Sequence, residues 1–254
     1  MENFTTTTCN SVRKDSLISE EDEISSRRFI PHFRDEKFFG HVVTELKSNP
    51  GPKYIKDAKI ISHDNIILTC HSNCEILIWS DKEQSLKDAG LGYYYGSGCV
   101  LTVNHVIDYE NCSIFVTFRE YEFCMIYLAH IAKKNKDQDL AIIKLQGSLD
   151  PLQFKNIKNI TNEIEIKDIY VFSLKPDGEY ELKTGEIMQH HPSIKDMLKN
   201  ELLISVAGIN GDSGGPVCSN GNVVGLFRGA STSENGLEKY GRMVKIDKSF
   251  LKCD

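Results

Sequence analysis

The stretch Gly211-Asp212-Ser213-Gly214-Gly215-Pro216-Val217 holds the residues of this chain best suited to chemistry. Three glycines, a serine and a proline within seven residues make a poor helix and a poor strand interior. Glycine lets a backbone take positive φ, or lets neighbouring amides turn toward one point. With Gly211 ahead of Asp212 and Ser213, the N–H groups of Gly211 and Ser213 can converge where an oxyanion would form, with the Ser213 hydroxyl beside them. A preorganised donor of this kind contributes about 3 kcal/mol to acyl transfer. The stretch therefore reads as a nucleophile held next to its own oxyanion hole. The plainer alternative is a Gly-rich hairpin carrying an incidental serine, and partners elsewhere in the chain decide between the two.

Gly-Asp-Ser-Gly-Gly-Pro resembles the nucleophile motif of trypsin- and chymotrypsin-like serine proteases. Upstream, Tyr95-Gly96-Ser97-Gly98-Cys99-Val100-Leu101-Thr102-Val103-Asn104-His105-Val106 is a Gly-Ser-Gly turn, an apolar strand and a His at its end. It resembles the histidine segment of HtrA-like (DegP-like) proteases. That resemblance implies His105 as the base that takes the Ser213 Oγ proton and later gives it to the leaving amine. Asp137-Gln138-Asp139-Leu140-Ala141-Ile142-Ile143 resembles the Asp-Leu-Ala segment of the same proteins, which selects Asp139 as the third member. Asp137 and Asp108 are lesser candidates. A buried carboxylate at the head of an apolar strand needs a partner, and His105 would be one. The order His, Asp, Ser is that of chymotrypsin, and the 34-residue interval from His105 to Asp139 suits a compact HtrA-like domain. Val206-Ala207-Gly208-Ile209-Asn210 resembles the run that precedes the serine in HtrA proteins.

The resemblance spans about residues 60–250. It implies an all-β, chymotrypsin-like double β-barrel with the active site in the inter-barrel cleft and few short helices. The activity implied is that of a serine endopeptidase hydrolysing polypeptides through an acyl-enzyme, with His105, Asp139 and Ser213 as catalytic residues, Gly211 and Ser213 as oxyanion hole, and neither cofactor nor metal. By analogy, Ala207, Arg228 and Gly229 contribute to substrate binding. Trypsins place an acidic residue where Ala207 stands, so a small or medium apolar P1 residue is expected, with Arg228 able to intrude or to select an acidic group. Two departures matter. Asp212 is trypsin-like, yet no Ile-Val-Gly-Gly segment supplies the new N-terminus that trypsins pair with it, so Asp212 needs another partner. Val106 stands where trypsins have the Cys that closes the histidine loop, which removes that disulfide. No PDZ domain is expected after the protease segment. Two rival readings are a latent protease-fold binding or scaffold protein, and a processing protease of the polyprotein type acting on very few sites.

These residues need a frame. The chain has 254 residues, 40% of them hydrophobic and 26% charged, which fits a globular protein with a sizeable core. Lys+Arg 30 against Asp+Glu 36 gives a net charge of −6, with no basic footprint for nucleic acid. No apolar run approaches about 18 residues, so no membrane span is expected. Oligomeric state is left open. The absence of a signal-peptide pattern at Met1-Glu2-Asn3-Phe4 favours a cytoplasmic or nuclear location.

Residues 1–36 are polar, with Glu20-Glu21-Asp22-Glu23 followed by Arg27-Arg28, and read as a mobile tail. Residues 37–254 read as the protease domain, its barrels at about 55–150 and 151–250. Phe39, Val42, Val43 and Leu46 recur at helical spacing, ending before the turn Asn49-Pro50-Gly51-Pro52. Short β-branched runs then predict strands at Ile60-Ile61, Ile66–Leu68, Ile76–Trp79, Cys99–Leu101, Ile114–Phe118, Ala141–Leu145, Ile169–Phe172, Leu202–Ile204 and Val223–Phe227. A helix at Ser193–Asn200 and a short one in the last residues complete the expectation. The eight cysteines read as reduced thiols; Cys70-His71-x-x-Cys74 has no second pair to make a zinc site.

Overall fold

The computed structural model describes residues 36–56, 72–120, 123–147, 159–161, 168–174, 180–188, 197–232 and 239–252. Its first sheet has the strand order β1-β6-β5-β2-β3-β4-β7, and β6 also pairs with β7, so six of its strands close on themselves. These strands are β1 (Lys53–Lys56), β2 (Asn73–Ser80), β3 (Ser85–Gly96), β4 (Cys99–Thr102), β5 (Cys112–Glu120), β6 (Phe123–Asn135) and β7 (Leu140–Leu145). All pairings are antiparallel. Alternation along β2 explains its unbroken apolar run. Ile76 and Ile78 face the barrel interior, where they meet Tyr93, Val100, Val116 and Ile142. Leu77 and Trp79 face outward and are buried by the helix α1 (Glu36–Ser48), whose Phe39, Val43 and Leu46 pack on them. Phe39 meets Trp79 and Phe115 edge-on, with centroids at 5.3 and 5.7 Å.

The second sheet runs β10-β11-β14-β13-β12-β8-β9. Its strands are β8 (Ile169–Leu174), β9 (Tyr180–Gly185), β10 (Ile187–Met188), β11 (Glu201–Ile204), β12 (Pro216–Ser219), β13 (Asn222–Thr232) and β14 (Lys239–Lys245). Here too alternation buries both faces. Ile169, Val171, Val217, Val224 and Phe227 form its own core. Phe172, Cys218, Leu226 and Val244 join the cluster that runs from the first barrel. The Asn220-Gly221 turn between β12 and β13 has φ of 47° and 75°, the two left-handed residues that a tight hairpin needs. Ser97-Gly98 plays the same part between β3 and β4, with φ of 52° and 73°.

The architecture is the all-β double-barrel arrangement expected of a chymotrypsin-like chain, with one amendment: among the described residues the second sheet stays open, a half-barrel edged by β9 and β10. The other described helix, α2 (Asn104–Ile107), is a single turn. The expected helix at the C-terminal end is likewise one turn, closed by Phe250 N–H donating to the Asp247 carbonyl at 2.9 Å. Leu198 to Asn200 form a turn rather than helix, and the rest of the Ser193–Asn200 expectation is largely outside the described residues. The expected strands at Ile60-Ile61 and Ile66–Leu68 and most of the tail also lie outside them.

The two sheets meet by backbone. Leu91 N–H on β3 donates to the Ser213 carbonyl at 2.8 Å, and the Thr102 hydroxyl on β4 donates to the Leu91 carbonyl at 2.8 Å. Gly214 fits between these groups at φ +89°, where a Cβ would sit 2.0 Å from the Leu91 oxygen and 2.3 Å from Thr102 Oγ1. Gly214→Ala should therefore lose roughly 2–4 kcal/mol, from the left-handed backbone and the overlap together. Urea unfolding of the full chain measures this, and a variant as stable as the native protein would mean the sheets are not pinned here.

Candidate active site

α2 presents His105 because its neighbours are anchored: Val106 and Ile107 are buried at 2% and 1%, while the His105 side chain is 44% exposed. Asp139 heads β7 from the turn that leaves β6, with φ +52°, a left-handed conformation that aspartate tolerates better than most residues. That conformation lets one residue grip α2 three times. The Asp139 carbonyl accepts Asn104 N–H at 3.2 Å, Oδ1 accepts His105 N–H at 2.9 Å, and Oδ2 meets His105 Nδ1 at 2.8 Å. An ionised carboxylate has no proton to give. Nδ1 is therefore the donor, and in the neutral ring the lone pair lies on Nε2. Asp137 and Asp108 make no such contact. Asp108 pairs with Lys136 and Lys134 at 2.7 and 3.3 Å, and the Lys136 hydrogen bond leads in holding its carboxyl below the ordinary value.

Ser213 lies in the turn before β12. Gly211 takes φ +90° and Gly214 φ +89°. Gly214 N–H donates to Phe227 O at 2.8 Å and Gly215 N–H to Asp212 O at 3.0 Å, which ties the turn to β13 and to itself. Among the described residues, the Gly211 and Ser213 N–H groups have no protein acceptor. The Ser213 hydroxyl donates to the Arg228 carbonyl at 3.0 Å, and no hydrogen bond joins it to His105. Asp212 is wholly buried. Its Oδ2 accepts the Ser173 hydroxyl from β8 and the Ile209 N–H, both at 2.8 Å.

Of the expected substrate-binding residues, Ala207 is half-buried in the loop after β11, and Gly229 is half-buried on β13 with open space where a side chain would project. Arg228 is engaged elsewhere. Its Nε donates to Asp139 Oδ2 at 2.8 Å and its Nη1 to Glu201 Oε1 at 3.1 Å. Glu201 is the residue that sequence reading missed. Its side chain is fully buried at the head of β11, accepts the Leu198 N–H at 2.8 Å, and lies 3.8 Å from Arg242 on β14. An acid leading an apolar strand hints at a buried cation, but nothing in the sequence says which cation. Asn200 adds a further tie, donating to the Gln138 carbonyl beside Asp139 at 3.1 Å.

The described cysteines Cys74, Cys99, Cys112, Cys124 and Cys218 are free thiols, and burial, aided by the charge of Glu75, pushes Cys74 well up. Cys9, Cys70, His71 and Cys253 lie outside the described residues.

A family model described as a trypsin-like peptidase domain matches residues 90–226, just over half of the chain. No curated protein sequence matches. Among solved structures, the human pathogenic astrovirus serine protease is 20% identical with a TM-score of 0.51, covering 72% of this chain and 93% of its own. The active form of the Rv3671c protease from M. tuberculosis is 18% identical with a TM-score of 0.53, covering 74% and 84%. The MamO protease domain from Magnetospirillum magneticum is 17% identical with a TM-score of 0.54, covering 70% and 93%. At these identities the structural likeness speaks to fold.

Burial alone would raise the Asp139 pKa, but the hydrogen bond and charge of His105, with the Arg228 hydrogen bond, outweigh it and hold the carboxyl below its ordinary 3.8. A folded-state value below the unfolded one means the unfolded chain takes up the proton first as pH falls. The stabilisation is complete above the ordinary carboxylate range and is lost as pH drops through the folded value. Asp139→Asn should therefore flatten the acid-side loss of stability below about pH 4 in denaturant titrations. An acid limb identical to that of the native protein would count against the pairing.

Proposed function

We propose that this chain, which belongs to the trypsin-like peptidase domain family, is a serine endopeptidase working through His105, Asp139 and Ser213. The observation that carries the reading is the pair of hydrogen bonds that Asp139 accepts from His105, the ring bond favouring the tautomer a general base requires. The Ser213 hydroxyl turns from the Arg228 carbonyl to His105 Nε2. Oγ then attacks the scissile carbonyl carbon while its proton passes to Nε2. The Gly211 and Ser213 amides take the oxyanion. Collapse breaks the C–N bond, His105 protonates the leaving amine, and a water activated the same way releases the acid and restores Ser213. Asp139 orients the ring and balances the imidazolium without itself accepting the proton. Polypeptides are the substrates, and no cofactor enters any step. A small or medium apolar P1 residue is favoured, because the Arg228 guanidinium is held by Asp139 and Glu201 and no acid stands at Ala207.

A latent protease-fold protein is the second reading, and the observation favouring it is the Ser213 hydroxyl resting on the Arg228 carbonyl. Fluorophosphonate labelling separates the two. The native protein should label, Ser213→Ala should not, and His105→Gln should label at least about a hundredfold more slowly. A native protein that stays unlabelled would leave the latent reading standing. For specificity, a peptide-library digest should cut mainly after Ala, Val or similar residues; a digest dominated by cuts after Lys, Arg, Asp or Glu would overturn the assignment of the pocket.

A further inference from the structure

The family match ends at residue 226, two residues short of Arg228, yet Arg228 is the residue that touches both Asp139 and Ser213. The pairing of β13 with β14 passes from Phe227↔Met243 to Gly229↔Arg242, which leaves Arg228 as the extra residue of a β-bulge. A bulge re-aims a side chain that would otherwise follow the strand's alternation. Here it sends the guanidinium between two acids, Asp139 at 2.8 Å and the fully buried Glu201 at 3.1 Å. The backbone carbonyl of the same bulged residue accepts the Ser213 hydroxyl.

We infer that Arg228 is a positioning residue of this site, whose side chain fixes the Asp139 carboxylate where it meets the His105 ring. The inference rests on the catalytic reading above only for its consequence in turnover. Asp139 Oδ2 accepts from both His105 Nδ1 and Arg228 Nε, each at 2.8 Å. One acceptor atom serving two donors gives each less than it would give alone. A cation at that atom also opposes the second positive charge that forms when His105 takes a proton. Glu201 holds the far side of the fork, so the guanidinium cannot swing away to a substrate without leaving a buried acid short of a partner. A lysine would supply the charge but not the two-pronged geometry.

The elements around α2 and β13 carry further charged groups. Asp108 with Lys134 and Lys136 lies at the end of β6, and Asp137 lies in the turn to β7. Asp88 on β3 takes the Tyr109 hydroxyl, and Arg242 on β14 sits behind Glu201. All of these are common to the native protein and to the variants below, so they do not contribute to a difference between them.

The test is the His105 ring titration followed by NMR in the full chain, with His105→Gln identifying the signal. R228Q should raise the His105 midpoint by about one pH unit, the scale of a nearby charge, while R228K should stay close to the native midpoint because its charge remains. Should R228Q not fold, R228Q/E201Q removes one charge of each sign and must still shift the midpoint upward, the nearer charge dominating. An unchanged midpoint in the Gln variant that folds, or an R228K shift as large as that of R228Q, would overturn the inference. The titration is read whether or not Ser213 labels with fluorophosphonate, so failure of the protease reading is seen separately. If Ser213 does label, R228K should label more slowly than native at equal His105 protonation, reflecting the lost fork.

Discussion

A carboxylate removed from water has to have its charge answered, or folding carries several kcal/mol of penalty, and in this protein that demand falls on Asp139. Its side chain is 7% exposed and meets three donors: the His105 main chain, the His105 ring and the Arg228 guanidinium. Each donor comes from a different structural device. The main-chain donor exists because α2 is a single turn directly after β4. The ring is turned outward because Val106 and Ile107 are buried on the other side. The guanidinium arrives because β13 bulges at Arg228. The left-handed backbone of Asp139 is the local cost of making all three contacts at once.

The Ser213 turn is held by a separate set of contacts. Its carbonyl at Ser213 is fixed by Leu91 of the opposite sheet, its Gly214 amide by Phe227, and its aspartate by Ser173 and Ile209. Among the described residues, the amides of Gly211 and Ser213 in this turn remain without a protein acceptor. The close approach of the sheets depends on glycine at both surfaces. A Cβ on Gly90 would lie 2.9 Å from the Ser213 oxygen and 2.7 Å from Val106. The packing that brings the His105 and Ser213 segments together thus leaves no room for side chains at the seam.

The ionic cluster of Asp139, Arg228, Glu201 and Arg242 alternates in sign across three strands and the head of β7. Buried pairs of this sort add little net stability over apolar residues, but removing one member leaves a stranded charge. Their value lies in geometry. They join β7 of the first barrel to β11, β13 and β14 of the second sheet at the place where the site's orientation matters most.

The amino-acid sequence alone determined the candidates for the site. The Gly-Asp-Ser-Gly-Gly-Pro string, the His after an apolar strand and the Asp before Leu-Ala are each local patterns whose residue types are required by the chemistry, and Asp139 meets His105 in the fold. Strands such as Ile114–Phe118 and Ala141–Leu145 were legible from β-branched runs. Much of β3 was not: it carries Gly90 and Gly92, where a Cβ would stand 2.7 Å from Val106 and Val100. β6 was hidden by its polar end, Lys133-Lys134-Asn135. Tertiary structure decided the rest: that Asp212 would find Ser173, that the second sheet stays open among the described residues, and that Arg228 would turn from the expected pocket to Asp139 and Glu201. Those outcomes depend on which strands become neighbours and where one bulge falls, and pairings between residues 27 or 89 positions apart leave no local trace in the chain.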